Sequence, residues 1–220
     1  MEVTLIDYMG SDLTVVNAAR VSFGKRKGKA EFGELDKKLI NYLARHNHWS
    51  PFGHTSLQFH IKAPVFVARQ LVKHQVGLVW NEISRRYVED DPELWMPKVW
   101  RGNPENKKQG SDPNIKIEWL DRETRTGKAV HVATDLAVET YKRLLEGGVC
   151  AEQARMILPQ NTYTEWYWTG SLYAFSRVCN LRCKDDTQKE TRDVAWEIHD
   201  LAKDKFPVSW PALFYTSLVS

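Results

Sequence analysis

The 220-residue sequence has no apolar run approaching the ~20 residues that a membrane span needs, so no membrane-crossing helix is expected. Its opening, Met1-Glu2-Val3-Thr4-Leu5-Ile6-Asp7, lacks the charged lead, apolar stretch and cleavage site of a secretory signal, and a cytoplasmic location is the resulting expectation. Cysteine is scarce: Cys150, Cys179 and Cys183 form an odd set. Cys179 and Cys183 have no neighbouring histidine or second cysteine pair to complete a zinc site, so reduced, packed thiols and no metal are expected. Neither Gly-x-Gly-x-x-Gly nor a Walker loop occurs, which removes support for a Rossmann-type or P-loop nucleotide site. Internal repeats are missing as well. A net charge of +3 is too small for a nucleic-acid signature, although it suits a small phosphorylated ligand.

The 42% hydrophobic and 27% charged residues are ordinary for a soluble globular chain, and the length favours one domain over residues 1–220. Residues 1–7 alternate as a strand. Asp12 to Phe23 has apolar residues at helical spacing, with Asp12 as its cap, and Glu34 to His46 repeats the pattern. From Ser56 to Lys62, Leu57, Phe59 and Ile61 fall on one face of a strand, leading to a helix from Pro64 to about Gln75. Residues 101–128, rich in turn formers and charge, are read as a long loop excursion. Thr126 to Glu146 is predicted as an amphipathic helix packed through Ala133, Ala137, Tyr141 and Leu144, stopped by Gly147-Gly148. A short helix over 151–158, an extended segment over 161–169, and helices over 171–183 and 187–205 complete an α+β class.

The chemistry concentrates between Arg69 and Tyr87, where cations, a carboxylate, amides and a hydroxyl surround a predicted helix end. Guanidinium groups and a serine hydroxyl give charge-assisted hydrogen bonds to phosphate, so this inventory suits a polyanion. Charge spacing alone favours the plainer reading, a solvated, salt-bridged helix end. The order of residues carries more: Lys73-His74-Gln75 followed by Asn81-Glu82-Ile83-Ser84-Arg85-Arg86-Tyr87 resembles the signature of flavin-dependent thymidylate synthases, an Arg-His-Arg triplet, seven residues, then Ser. Residues 18–23 (Ala-Ala-Arg-Val-Ser-Phe), 46–54 (His-Asn-His-Trp-Ser-Pro-Phe-Gly-His), 154–159 (Ala-Arg-Met-Ile-Leu-Pro) and Asn180-Leu181-Arg182 resemble further segments of that family in the same order.

The resemblance implies an antiparallel sheet flanked by helices, assembled as a homotetramer with sites at subunit interfaces that bind dUMP, FAD, NADPH and 5,10-methylenetetrahydrofolate. It places Arg182 at the reacting pyrimidine as the catalytic cation. Ser84, Arg86 and Arg155 fall on dUMP-holding positions, with Gln70, Lys73 and Glu82 lining the same pocket. Ser50, Lys73, His74, Gln75 and Glu82 fall on the flavin side, joined by Tyr173, Arg177 and Asn180, which share a helix face; His48 and Tyr87 fall on the folate side. Hydride then passes to the pyrimidine from reduced flavin without covalent enzyme attachment. That agrees with the lack of any Pro-Cys nucleophile motif. Two departures stand out. The triplet lacks both arginines, and eight residues rather than seven separate Gln75 from Ser84, so the intervening turn must bulge or re-route, and a bulge near Gly77 would preserve the substrate side; Arg177 is a candidate replacement charge.

Each residue has a plainer alternative. Arg182 reads as a helix-end cation, and Arg155 as the partner of Glu152 in a surface ion pair worth under ~1 kcal/mol. Ser84 as nucleophile lacks a positioned base and orienting acid. Rival functions are a related enzyme acting on dCMP or forming a hydroxymethyl product, a homologue that binds nucleotide without flavin, and a nucleic-acid module that stacks bases on Trp80, Trp95 and Trp100.

Overall fold

The computed structural model describes residues 1–88, 90–105 and 110–215. Its centre is a four-stranded antiparallel sheet of order β1-β2-β6-β3, built from Glu2–Met9 (β1), Ser56–Pro64 (β2), Leu78–Glu82 (β3) and Tyr163–Ser171 (β6). The alternation in β2 does what period-two side-chain placement requires. Leu57, Phe59 and Ile61 are fully buried opposite Gly170, Trp168 and Trp166 of β6. Phe175 packs edge-on against Phe59 and Trp168, with ring centroids 5.0 and 5.2 Å apart. The opposite sheet face carries Gln58, His60 and Lys62, and His60 meets Glu165 at 3.1 Å.

Helices Asp12–Arg20 (α1), Glu34–Arg45 (α2), Val65–Leu71 (α3), Thr126–Glu146 (α4), Ala151–Ala154 (α5), Leu172–Arg182 (α6), Lys189–Lys205 (α7) and Ser209–Tyr215 (α8) complete the fold. Against the inner sheet face lie α6, through Phe175, Val178 and Cys179, and α7, through Val194, Ala195 and Ile198. Within α6, Cys179 is buried and its Sγ donates to the Ala195 carbonyl at 3.5 Å. Burial pushes this thiol up, as a packed cysteine requires.

Several expectations are corrected. Ser11, not Asp12, caps α1; the Asp12 carboxylate instead accepts from the amides of Val208 and Ser209 at 3.0 and 2.8 Å. There it satisfies donors at the start of α8, a helix the periodicity did not reveal. Pro64 ends β2 and caps α3 in extended geometry, so the helix begins one residue later. It also stops at Leu71 rather than near Gln75: the amide of His74 returns to Leu71 at 3.0 Å, and Gly77 takes φ 76, a left-handed value that glycine adopts without a Cβ clash. The turn through Gly77 leads into β3, a strand that sequence reasoning missed.

The 101–128 excursion contains a small hairpin, Arg101–Gly102 (β4) with Asp112–Lys116 (β5); its residues 106–109 lie outside the described residues. Helix α4 has the expected bounds but a different buried face. Thr126, Thr134 and Tyr141 are buried, whereas Ala133 is exposed and Ala137 and Leu144 are half-buried.

The loop between α1 and α2 is anchored by one buried carboxylate. Asp36 is inaccessible and receives Arg20 and Lys27, each at 3.0 Å, together with the Gly33 amide at 3.0 Å. Burial raises its pKa, but these partners outweigh burial and hold it below the ordinary 3.8. A depressed carboxylate contributes stability above its unfolded value and loses it as pH falls through the folded one. Asp36→Asn is therefore expected to cost about 3 kcal/mol near neutral pH. In urea melts the gap from the parent should hold between pH 5 and 8 and narrow below about pH 4.

Candidate functional site

Helix α6 is where the candidate residues converge. Ser171 caps it, its hydroxyl accepting from the Ala174 amide at 3.1 Å, and the chain after α3 crosses its outer side. At that crossing Arg182 Nε donates to His74 Nε2 at 2.9 Å. The imidazole must be unprotonated at Nε2 to accept, which puts its proton on Nδ1. Burial, then the positive charges of Arg182 and Arg177, hold His74 down to about 4, and burial also lowers Arg182 from the usual arginine value. Lys73, His74, Gln75 and Arg177 line a small cavity of about 170 Å³ here.

A larger hollow of about 420 Å³ adjoins it, lined by Tyr173, Arg177, Asn180, Arg45, Asn47 and Lys184 among others. Three cations and no carboxylate face this space, and none of the three forms an ion pair among the described residues. Asn180 Nδ2 is tied to the Leu213 carbonyl at 3.1 Å, leaving its buried Oδ1 without a hydrogen-bond partner among the described residues. Arg45, Asn47 and Lys184 were missed by sequence reasoning. Arg45 and Asn47 flank His46, the first residue of a segment read for its histidines and Ser50, and Lys184 lies two beyond Arg182. His48 packs edge-on to Tyr42, with centroids 5.9 Å apart, and Ser50 opens a 3-10 turn beside Trp49, whose ring lies 6.0 Å from Tyr173.

A second cluster forms at the far end of β3. Ser84 Oγ accepts from the Arg86 amide at 3.3 Å. Arg86 lies over the Tyr87 ring at 5.1 Å and pairs through Nε with Glu152 at 3.0 Å. The alternative pairing of Glu152 with Arg155 is thus corrected: Arg86 takes that carboxylate, and Arg155, three residues further on, stays exposed. Among the described residues no histidine is bonded to Ser84, so no catalytic triad forms there. Glu82 is held over the sheet, accepting from Thr164 Oγ1 at 2.7 Å and Trp80 Nε1 at 3.1 Å.

Gln70 stands apart from both clusters. Its amide bonds to Gln188, and its oxygen accepts from Thr191 at 3.1 Å, at the wall of a third cavity of about 600 Å³ that Trp95, Trp100 and Arg101 also line. Within one chain, then, His74, Arg177 and Arg182 are together, Ser84 lies beside Arg86, and exposed Arg155 follows three residues after the Glu152 that pairs with Arg86. Neither of the cavities on α6 is lined by the second set. Two of the three tryptophans considered for base stacking are engaged internally, Trp80 stacked on Trp166 at 4.4 Å and Trp95 edge-on to Phe66 at 5.4 Å.

The chain thus combines an α+β fold with a cation-lined hollow beside a half-buried histidine-arginine pair. Residues 4–208 match the family described as thymidylate synthase complementing protein, and the chain belongs to that family. It is 39% identical over 210 residues to the flavin-dependent thymidylate synthase of Kosmotoga olearia, covering 96% of this chain and 88% of the relative. Identity to the Thermus thermophilus enzyme of the same name is 40%, covering 96% and 74%. Among solved structures, a UMP/dUMP methylase from Streptomyces cacaoi bound with 5-Br dUMP is similar with a TM-score of 0.82 and 31% identity, over 97% of this chain and 94% of that one.

The close pairing of β3 with β6, with Leu78 opposite Gly170, positions the His74 segment. A Cβ on Gly170 would lie 2.4 Å from Leu78 Cδ2 and 2.6 Å from the Gly77 carbonyl, so only glycine fits. Gly170→Ala is expected to lose roughly 1–3 kcal/mol in a thermal melt and to speed amide exchange in residues 74–78.

Proposed function

We propose that this chain is a cytosolic thymidylate synthase that methylates dUMP to dTMP, with 5,10-methylenetetrahydrofolate as carbon donor and NADPH as hydride source through bound FAD. The observation that carries the reading is the Arg182–His74 pair beside the Arg177 hollow, in a chain of this family. The hollow suits a dinucleotide: Arg177, Arg45 and Lys184 offer charge to its phosphates, and the unpartnered Asn180 Oδ1 offers an acceptor. Tyr173, Lys73, His74, Gln75 and Ser50 complete the cofactor side. When bound, the flavin supplies hydride chemistry at the pyrimidine.

The residues of the chain supply binding and electrostatics. Arg182, half-buried and charged, stabilises negative charge that develops on the pyrimidine oxygens as the ring is reduced and alkylated; in a water-poor site such a preset cation is worth far more than in solution. Ser84, Arg86 and Arg155 hold the nucleotide phosphate, with Lys73 and Glu82 at the pocket wall and His48 and Tyr87 on the folate side. Because one chain keeps the two clusters apart, a neighbouring subunit completes each site, as in a homotetramer. Apolar side chains border both clusters: Val76 is 73% exposed next to the first and Met156 is 83% exposed next to Arg155. On α4, Val132 and Leu136 stand exposed one turn apart, a face suited to a second copy.

The purified protein with FAD, folate donor and NADPH is expected to release tritium from ring-labelled dUMP, and Arg182→Ala to lower the rate by about 100-fold or more. No release from the parent would overturn the assignment. Similar solved structures hold both 5-Br dUMP and 5-Br UMP, so UMP run beside dUMP decides which sugar is accepted. Arg177→Ala should reduce the flavin absorbance retained through gel filtration; unchanged retention removes Arg177 from the cofactor site.

A further inference from the structure

The bond between Arg182 and His74 uses only the Nε–H of the guanidinium. Arg182 Nε donates at 2.9 Å to His74 Nε2, and its two terminal nitrogens have no hydrogen-bond or ion-pair partner among the described residues. A guanidinium is planar and its plane contains both the Cδ–Nε and Nε–H bonds, so fixing the Nε–H direction on a side chain anchored at Cδ fixes the plane in which the terminal donors lie. The imidazole is itself fixed: it is half-buried against α6, and its segment is closed by the His74 amide returning to Leu71 and the Leu78 amide returning to Gln75.

Taking the proposed methylation as its basis, we infer that His74 is a positioning residue for Arg182, accepting the Nε hydrogen so that the terminal guanidinium nitrogens are held toward the pyrimidine oxygens. The charged groups facing the imidazole are Arg182 and Arg177 on α6 and Lys73 on its own segment, and no carboxylate lines their cavity. A second proton on His74 would place a donor against the Arg182 donor and add a cation to three others. Burial first, and then that surrounding charge, keep the imidazole in its acceptor form. A histidine at this place is therefore an acceptor, not an acid or base.

The test compares His74→Leu and His74→Gln with the parent. In tritium release from labelled dUMP, His74→Leu is expected to lower kcat by roughly 10- to 100-fold, as for a misplaced reacting group, with KM for dUMP within about a factor of three. Glutamine offers an amide oxygen to Arg182 Nε, so His74→Gln should recover most of the loss. A leucine variant with parental kcat, or a glutamine variant no better than leucine, overturns the role. Independently of turnover and of the variants' folding, ¹⁵N-resolved NMR of the parent should show His74 Nε2 as an unprotonated ring nitrogen at pH 6; an imidazolium there also overturns it. A parent that releases no tritium while keeping that nitrogen signature contradicts the methylation reading instead, which separates the two failures.

Discussion

The antiparallel ladder between β2 and β6 is the constraint on which the site depends. It runs from Ser56 opposite Ser171 to Pro64 opposite Tyr163, and each strand passes directly into a helix at its own end of the ladder. Helix α3 therefore starts where β6 begins, and α6 starts where β2 begins. With α6 folded back over the inner face, the end of α6 and the segment after α3 are delivered to the same place, where Arg182 meets His74. A slip of β2 by one residue would turn Leu57, Phe59 and Ile61 away from the core that Trp166 and Trp168 share, so core burial enforces the placement of the site.

Much of this was legible in the sequence because burial imprints a period. Leu57, Phe59 and Ile61 announced β2, and α4 was bounded correctly by an amphipathic run and its Gly147-Gly148 stop. What escaped has physical reasons. β3 is an edge strand with an exposed Val79 and Asn81, so it carries little alternation, and it begins at a turn made by one glycine. The Asp12 carboxylate does cap a helix, but one almost the whole chain away, which no local rule detects. On α4 the pattern of apolar residues was read as one buried face, whereas the single chain covers only Thr126, Thr134 and Tyr141.

Among the site residues, the motif segments were legible as a set of cations around residue 74, and the shared face of Tyr173, Arg177 and Asn180 opens onto one hollow. Arg45 and Lys184 were not legible. Each is an ordinary exposed cation in sequence and gains meaning only when α2 and the end of α6 approach one another beneath α8. The missing triplet arginines thus coincide with a hollow that already holds Arg45, Arg177 and Lys184, so the local charge need not come from a single stretch of chain.

The Asp12 contact has a kinetic consequence. The amides it receives lie 196 and 197 residues downstream, making it among the most non-local closures available to the chain, and such contacts form late. During synthesis the first helix must wait, with its carboxylate still hydrated, until nearly everything else has emerged. Only then does α8 dock, and with it the Leu213 carbonyl that orients Asn180. Completion of the hollow beside Asn180 thereby waits on the docking of α8.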